Sequence, residues 1–476
     1  MHKRKMKTVL FNIVLILSCL TARSQDTLSL QQAIKIGLSK SLDVNQSALL
    51  SEKAGLNWRQ SKAAMLPNLN ASLYQGNTNG RTNNPVTNAF INENVNSGSY
   101  GATSSLLLFN GSSLQNNIKS NSLGYAASKL ELQQAKDNLT LNIILDYLNV
   151  LSAEEILENS KQLRLVTAKQ VERLAQLNQS GAIPPSQYYD LKGQLADDDL
   201  SVEDNIAAVS TAKLNLAQLL NVPYNERMEV EPLPVEAFQT NYEATPDQIY
   251  NTALQQFAQI KAVHLRKESE EKLIRSLQGQ LYPTLYLNGS LGTNYSSAAT
   301  QSYLLNSTQV PSTDYVVVNG AQLPVITTQD NFNTQKVPYH NQLNNNYSTN
   351  INLGLSIPLF NGFQVRTKVK LAKLDLKNSE LVEENTKTLL QQSIERAWVN
   401  LTNTSHKYNI LVDQINSFTV SFRAAEIRFN SGVITSVDYL IAKNNLDRTK
   451  VNMIAAKYDF VLRSKILDYY QGKPLW

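Results

Sequence analysis

The sequence contains few of the residues that build chemical sites. It has one cysteine, Cys19, and four histidines among 476 residues, and the histidines are scattered, with no pair at metal-ligand spacing. Phosphate-binding loops, dinucleotide fingerprints and nucleophile elbows are absent from the sequence as well. The acidic run at 197–199 falls on a predicted helix surface, which indicates solvated side chains. We therefore predict no enzyme activity, no cofactor and no metal site.

A strong net charge is also absent from most of the chain. The 44 Lys and Arg residues outnumber the 39 Asp and Glu residues, but residues 1–24 hold five of the bases and no acid. The remaining chain carries 39 of each sign. A neutral chain gives no electrostatic reason to bind nucleic acid, so no nucleic-acid partner is predicted.

Residues 1–24 have the pattern of a secretory signal peptide. A basic segment, 2–7, precedes an apolar stretch, 9–20, and Ala22-Arg23-Ser24 fits a cleavage site. The alternative is a lipoprotein signal acylated at Cys19. After residue 24 no run approaches the ~18 apolar residues of a membrane helix, so we expect any membrane-spanning part to consist of strands.

The chain is internally duplicated. The Leu-Phe-Asn-Gly motif at 108–111 recurs at 359–362, and the Ser-Gly pair at 180–181 recurs at 431–432, in both cases 251 positions later. A constant offset over such a distance is typical of two copies of one structural unit. The Pro at position 67 recurs 216 positions later, so the second copy has 35 more residues between this Pro and the Asn-Gly. This indicates a longer loop there.

These repeats give the domain organisation. The predicted parts are a signal peptide at 1–24, a first repeat at 25–221, a Pro-rich linker at 222–246 and a second repeat at 247–476. Within the repeats we predict strand hairpins at about 66–110 and 281–361 and long helices at about 111–179 and 362–430. Shorter helices are predicted at roughly 27–65, 185–221, 247–280 and 436–470. The long segments lack proline, and a 70-residue helix is about 105 Å long.

The hairpin segments are nearly free of charge and alternate in polarity. The only charged residues in 66–110 are Arg81 and Glu93, and those in 281–361 are Asp314, Asp330 and Lys336. Alternation is clearest at 347–359 and is repeated at 285–295 and 69–73, whereas 100–109 alternates poorly. Strands with one apolar and one wet face fit a membrane strand. We predict loops at 76–99 and 296–346, and the Asn-Gly at 319–320 indicates a small hairpin inside the second loop.

Four strands from one chain are too few to close a membrane barrel. Strands in hydrocarbon survive only in a closed barrel, and the smallest such barrels have eight strands. Two chains would give eight strands with an interior filled by side chains, and three would give twelve with a lumen. Inner faces of Asn, Ser, Thr and Gly favour three chains, although the strand count leaves two possible.

The order of these motifs resembles that of the TolC-type outer-membrane efflux proteins. The resemblance rests on the duplicated Leu-Phe-Asn-Gly, the aromatic residues Tyr147 and Trp398 within the long helices, and the Ser-Gly-x-Ile turns. It implies a mixed membrane α/β fold, in which a trimeric twelve-stranded outer-membrane barrel, with four strands per chain, continues into a long periplasmic helical barrel. In that fold the linker forms an equatorial region.

The resemblance also implies site residues at the periplasmic end. Gly181 and Gly432 would form the helix turns of the tip, and Asp438 and Gln187 would lie at the pore constriction. Where some family members have a second acid, this chain has Ile441. Three carboxylates around one axis would attract cations. The alternative is that Asp438 only favours the first turn of a helix that follows a cap at Thr435 or Ser436.

The predicted function is a passive exit duct in the Gram-negative outer membrane with a periplasmic extension. The resemblance implies four kinds of partner: further copies of the chain, a periplasmic adaptor, an inner-membrane pump of the RND or ABC type, and outer-membrane lipid. The sequence does not distinguish between drugs, metals and secreted proteins as the exported substrate. The alternative function is an extended coiled-coil scaffold or surface protein without a conducting lumen.

Overall fold

The computed structural model describes residues 27–84, 87–233 and 244–473. The predicted signal peptide at 1–24 and Cys19 lie outside the described residues. The chain divides into two compact units. One unit comprises Met1–Leu56, Ser122–Ser269 and Leu376–Trp476, and the other comprises Asn57–Asn121 and Glu270–Asp375. The second unit contains all the named strands, and we call it the strand unit; the first is the helical unit.

The strand unit is built on a four-stranded antiparallel sheet. Its strands are β1 (Asn68–Asn83), β2 (Phe90–Phe109), β3 (Thr284–Ser296) and β6 (Ser348–Ser356), in the spatial order β1-β2-β3-β6. One hairpin from each copy therefore meets at the β2–β3 pair. β1 and β6 are the edge strands of this sheet, so each has one side that no other described strand covers.

The predicted loop at 76–99 is wrong. β1 continues to Asn83 and pairs with β2 from Phe90, so only residues 84–89 connect them. The two strands stay paired beyond the point where the polarity stops alternating, because contacts between polar side chains of β1 and residues of β2 hold them together there. The Asn77 side-chain amide donates to Asn96 Oδ1 at 2.6 Å, and Arg81 lies 4.4 Å from the ring centre of Phe90.

The predicted loop at 296–346 is also mostly structured. It contains β4 (Thr300–Val318) and β5 (Ala321–Lys336), which form a separate two-stranded sheet, and a short helix, α7 (Tyr339–Asn345). The turn between them is at Asn319-Gly320, as the sequence predicts. The hairpin is much longer than the small one expected, because pairing continues to Thr300 and Lys336 through two irregularities.

The helices recur in pairs of equal length. They are α1 (Leu30–Lys40), α2 (Leu42–Ala63), α3 (Ser113–Gln179), α4 (Pro185–Leu219), α5 (Pro246–Gln256), α6 (Ala258–Gly279), α8 (Gln364–Asn430) and α9 (Ser436–Tyr470). α3 and α8 each have 67 residues, and α4 and α9 each have 35. Positive φ angles recur 251 positions apart, at Gly111 and Gly362 and at Asn221 and Gly472.

The two stretches predicted as single helices before the hairpins are each broken. The break between α1 and α2 is at Ser41, and the break between α5 and α6 is at Phe257, 216 positions later. Both residues have an extended backbone with ψ of 125°. The Ser41 side chain accepts the Val44 backbone N–H at 3.3 Å and so caps the helix that follows. α1 and α5 each begin with a capping box, at Ser29 and Thr245.

Part of the linker packs into the helical unit. Leu28 and Val230 form a parallel bridge, and Val230 is buried in a core cluster around Tyr147. The Tyr147 hydroxyl lies 2.8 Å from the Leu28 carbonyl oxygen and 2.7 Å from that of Glu231, and burial raises the pKa of Tyr147 to about 12. Residues 234–243 lie outside the described part. Among the described residues, no helix has the length and apolarity needed to span a membrane.

Candidate functional site

One face of the four-stranded sheet is polar, and it carries no charge across the part shared by all four strands. The strand registers place polar or small residues in rows across all four strands. These rows are Asn68-Ser105-Asn288-Asn352, Asn70-Thr103-Ser290-Asn350 and Ser72-Gly101-Gly292-Ser348. The Asn288 side-chain amide donates to Asn352 Oδ1 at 3.2 Å, which ties adjacent strands within one row. These rows suit contact with water, and beyond them Glu93 of β2 lies on the same face, opposite Gly80.

The opposite face of the same sheet is apolar and exposed in the single chain. Its rows include Leu69-Ser104-Gly289-Ile351, Ala71-Ala102-Leu291-Thr349 and Leu106-Leu287-Leu353. Ile351 is 80% exposed and Leu353 is 63% exposed. A continuous exposed apolar face marks a surface that water does not cover in the functional state. The sheet therefore has the two faces of a membrane strand assembly, one for lipid and one for water.

The helical unit contains two equivalent helix turns. Gly181 follows α3 with φ of 73°, and Gly432 follows α8 with φ of 70°. The backbone N–H groups of Ala182 and Val433 donate to the carbonyl oxygens of Leu177 and Arg428 at 2.9 and 2.8 Å, which is the Schellman ending. Glycine adopts this left-handed backbone without the strain that most side chains would cause, so both turns favour it.

The two turns pack on each other through one apolar cluster, which we call the tip cluster. Its buried members are Leu174, Leu191, Phe429 and Tyr439. The rings of Phe429 and Tyr439 stack with centres 4.7 Å apart. The Arg173 guanidinium also bonds the Asn430 carbonyl oxygen at 2.9 Å. The cluster draws residues from both copies, so it holds the duplicated turns together.

Asp438 lies at the start of α9 and takes part in a capping box. Its backbone N–H donates to Thr435 Oγ1 at 3.2 Å, and its carboxylate accepts from the Thr435 N–H at 3.3 Å. Asp438 therefore caps α9 together with Thr435, and its place at a pore constriction stays a prediction. The side chain is also exposed, as is Ile441. In the first copy, Pro184 occupies the cap position without a side-chain bond, and Gln187 is half-buried.

A buried lysine lies behind the tip cluster. Lys443 is 2% exposed, and its ammonium lies 3.1 Å from Asp198 Oδ2 and 2.7 Å from Asp447 Oδ2. Asp198 also accepts from the Gln194 side-chain amide at 2.8 Å and from the Thr167 hydroxyl. Burial raises the pKa of Asp447. The prediction that the acidic run at 197–199 is solvated is wrong for Asp198, because α9 covers it.

Sequence reasoning missed Lys443, although a signal existed. Lys443 lies between Tyr439 and Leu446 at the spacing of one helix face, and both of these neighbours are buried. Further hydrogen bonds join α4 to α9 on the same side. The Ser436 hydroxyl donates to Asp190 Oδ2 at 2.7 Å, and the Asn444 amide donates to Gln194 Oε1 at 3.3 Å. Polar contacts thus join the closing helices of the two copies.

A second ionic cluster lies elsewhere in the helical unit, around Glu383 of α8. Its carboxylate, 8% exposed, contacts Lys267 and Lys387 at 2.7 Å each and His264 at 3.2 Å. Burial alone would raise the pKa of Glu383, but the hydrogen bonds from Lys267, Lys387 and His264 outweigh it and lower the pKa to about 2. Among the described residues, no group of histidines, cysteines and carboxylates is arranged to hold a metal ion.

Comparison with known proteins identifies the architecture. The family model described as outer membrane efflux protein matches residues 33–222 and 307–470, which is most of the chain. The chain belongs to this family. The resemblance stated from the sequence is therefore confirmed, and the protein is located in the outer membrane.

Individual relatives of the efflux family are distant in sequence. Outer membrane protein TolC of Escherichia coli is 21% identical over 333 residues, which cover 69% of this chain and 60% of TolC. The match thus spans about three fifths of that relative. TolC of Salmonella enteritidis is 22% identical over 343 residues, covering 71% of this chain and 62% of the relative.

Solved structures show the same fold. The crystal structure of CusC, a protein that forms a transmembrane channel, matches with a TM-score of 0.75 at 14% identity. The match covers 94% of this chain and 93% of CusC. The outer membrane protein VceC of Vibrio cholerae matches with a TM-score of 0.73 at 15% identity, covering 94% of this chain and 97% of VceC. The predicted fold class of this efflux family member, with membrane strands and long helices in a duplicated chain, is confirmed.

Proposed function

We propose that three copies of the protein assemble into a passive exit channel of the outer membrane. The observation that carries the proposal is the four-stranded sheet, with its apolar face, its polar face and the edges of β1 and β6 that no other described strand covers. Strand edges in hydrocarbon must be paired, so further copies complete the sheet. Three copies give twelve strands and a water-filled lumen, which the polar face suits.

The partners follow from the family. Its members are trimers that work with periplasmic adaptors and inner-membrane pumps. We extend this arrangement to the present chain, which would dock onto an adaptor and a pump of the RND or ABC type. In this arrangement the channel itself is passive and the pump drives transport. The pump therefore selects the cargo.

The tip residues complete the proposal. Gly181 and Gly432 would form the periplasmic turns, and Asp438 and Gln187 would line the constriction of the assembled channel. The support for Asp438 is its exposed side chain on the turn. The half-buried Gln187 and the apolar Ile441 carry no charge, so one acidic ring is expected at this end.

Conductance of the purified protein tests the channel directly. Chemical crosslinking in detergent should give a ladder that ends at the trimer, and the same material should form ion-conducting channels in planar lipid bilayers. A coiled-coil scaffold without a lumen, which is the alternative function, would form none. Well-assembled trimers that never conduct would falsify the channel.

A pair of neighbouring substitutions tests which face of the sheet meets lipid. Leu353→Arg places a charge on the apolar face and should reduce the amount assembled in the outer membrane, because arginine at the bilayer midplane is unfavourable by about 2–4 kcal/mol. Asn352→Arg is the matched control on the polar face. It should assemble normally and shift the channel toward anions. Equal loss of assembly in both variants would contradict the assignment of the faces.

A further inference from the structure

The long hairpin of β4 and β5 lacks the support that the other strands have. Its strands, of 19 and 16 residues, are exposed on both faces along almost their whole length. They form a sheet of two strands, and no other described element packs along them. An isolated two-stranded sheet is only marginally stable in water. The hairpin therefore needs a covering surface from outside this chain.

Exposed apolar side chains cluster at the end of the hairpin, apart from a second group nearer its root, which consists of Tyr303, Leu304, Leu305 and Phe332. We call the cluster at the end the tip patch, which consists of Tyr315, Val316, Val317, Val318, Leu323 and Ile326. All are about half exposed or more, and the register pairs Val316 with Leu323 around the turn at Asn319-Gly320. The apolar residues occur on both faces, so a partner or partners can cover each side. Exposed apolar patches of this kind mark interaction sites.

The root of the hairpin is held firmly against the sheet. The Gln342 side chain accepts the Ser296 N–H at 2.9 Å and donates to the carbonyl oxygens of Ser296 and Val337 at 3.0 and 2.8 Å. The Asn84 amide donates to the Ala298 carbonyl at 2.9 Å. These bonds are largely buried, so every copy presents its hairpin from the same place on the sheet.

The position of the root indicates the partner. The hairpin lies in the chain between β3 and β6, and β6 is the edge strand that must meet another copy in the proposed assembly. β6 has 9 residues and the other edge strand, β1, has 16, so β6 alone leaves part of a neighbouring β1 unpaired. The hairpin thus begins beside the edge where a second copy is expected.

The charge of the hairpin agrees with self-association. Residues 300–336 contain only Asp314, Asp330 and Lys336 as charged groups. The Asp330 carboxylate accepts a bond from Ser307 at 2.5 Å, and Asp314 accepts one from Ser312 at 3.2 Å. Recognition of phosphate-bearing headgroups or acidic glycans requires a basic cluster, which this hairpin lacks. The tip patch itself carries no charge, and the two acids and one base of the hairpin give a net charge of only −1, so repulsion between like copies is small.

We propose that the tip patch binds the hairpin of a neighbouring copy of this chain in the assembled channel. The inference rests on the proposed trimer and adds to it a contact surface outside the four-stranded sheets. The first copy has no counterpart to this hairpin, because the 35 additional residues are specific to the second. The contact would therefore use residues that only the second copy contains, and it would form only between assembled chains.

Charge substitution with rescue tests this contact. Val317→Asp and Val317→Lys, each expressed alone, place like charges in the interface and should lower the temperature at which trimers dissociate on semi-native gels by about 5–10 °C. Differently tagged Asp and Lys variants, expressed together and isolated as mixed trimers, should recover most of that loss. Thr328→Asp and Thr328→Lys are matched controls, exposed on the same hairpin outside the tip patch, and should not change the dissociation temperature.

Two results would overturn the contact. One is an unchanged dissociation temperature for both single Val317 variants. The other is a loss in both that mixed trimers do not recover, which would indicate lipid or a different protein as the covering surface. Replacement of 300–336 by a short turn, between Ala299 and Val337 whose backbone groups already bond at 3.0 Å, keeps the test independent of hairpin folding. This variant should conduct normally but dissociate at lower temperature, so a failed contact is distinct from a failed channel.

Discussion

The ammonium of Lys443 lies 3.1 Å from the carboxylate of Asp198, and both side chains are largely buried. Asp198 belongs to α4 of the first copy and Lys443 to α9 of the second, so this ion pair joins the closing helices of the duplicated halves. A buried charge is tolerated only when it is paired, because removing it from water is unfavourable by several kcal/mol. The arrangement therefore fixes how α4 and α9 align near the tip.

Removing this lysine should destabilise the helical unit. Lys443→Met would leave Asp198 and Asp447 buried without their cation, and we expect a loss of about 3–5 kcal/mol in the free energy of unfolding. The measurement is the loss of helical circular dichroism in detergent as temperature or urea rises. Arg448→Met, on an exposed position of the same helix, should change it by less than about 0.5 kcal/mol. Similar losses in both variants would show that the buried pair has no special role.

The Glu383 cluster should make the stability of the folded chain depend on pH. Because the pKa of Glu383 is lowered from 4.5 to about 2 in the folded chain, its contribution to stability is complete above pH 4.5 and disappears as the pH falls toward 2. Glu383→Gln should lower the free energy of unfolding at neutral pH by about 1–3 kcal/mol. The difference from the unmodified protein should vanish near pH 2.

The neighbouring acid provides the control for that experiment. Glu384 is exposed on the same helix, so Glu384→Gln should follow the unmodified protein at every pH. Thermal unfolding measured between pH 7 and pH 2 would give both curves. A constant difference between Glu383→Gln and the unmodified protein across this range would contradict the proposed ionic origin of the stability.

The long helices could be predicted from the sequence because their ends carry local signals. α3 and α8 contain no proline, and each lies between an Asn-Gly and a Ser-Gly pair. The backbone at Gly181 and Gly432 has the positive φ that glycine permits. The strand count of the main sheet could be predicted because three of the four strands alternate in polarity and all four lie in segments nearly free of charge.

The remaining features depend on contacts between distant residues. The outer part of β1 lacks alternation, and its strand character comes from cross-strand bonds such as Asn77 to Asn96. The full length of the β4–β5 hairpin is likewise set by its ladder. At the tip, Asp198 resembles its neighbours in a run of three acids, and only the packing of α9 distinguishes it. The periodicity of a sequence predicts which face of a helix or strand is buried. It does not predict which distant residues will be paired, because those pairs form only in the folded chain.

Alanine substitutions should lower the stability at the two glycine turns and raise it at a glycine inside a helix. Gly432→Ala places a side chain at φ of 70°, and this left-handed backbone is unfavourable for alanine by about 1–2 kcal/mol. Gly181→Ala should behave in the same way. Gly193, inside α4, has open space around it, so Gly193→Ala should stabilise the helix by about 0.5–1 kcal/mol. Thermal midpoints that move in the same direction for all three variants would contradict this account.

Two substitutions at the start of α9 separate charge from capping. Asp438→Asn removes the carboxylate charge but keeps an oxygen that can accept the Thr435 N–H, whereas Thr435→Ala removes the capping hydroxyl and keeps the charge. If three Asp438 carboxylates face the pore, Asp438→Asn should reduce the preference for potassium over chloride and weaken block by divalent cations in planar bilayers. Thr435→Ala should leave both unchanged and destabilise the helix start by about 1 kcal/mol. Glu93 on the polar face of the sheet is the same in both variants, so a difference in selectivity between them reports on the start of α9. Unaltered selectivity in Asp438→Asn would limit Asp438 to capping.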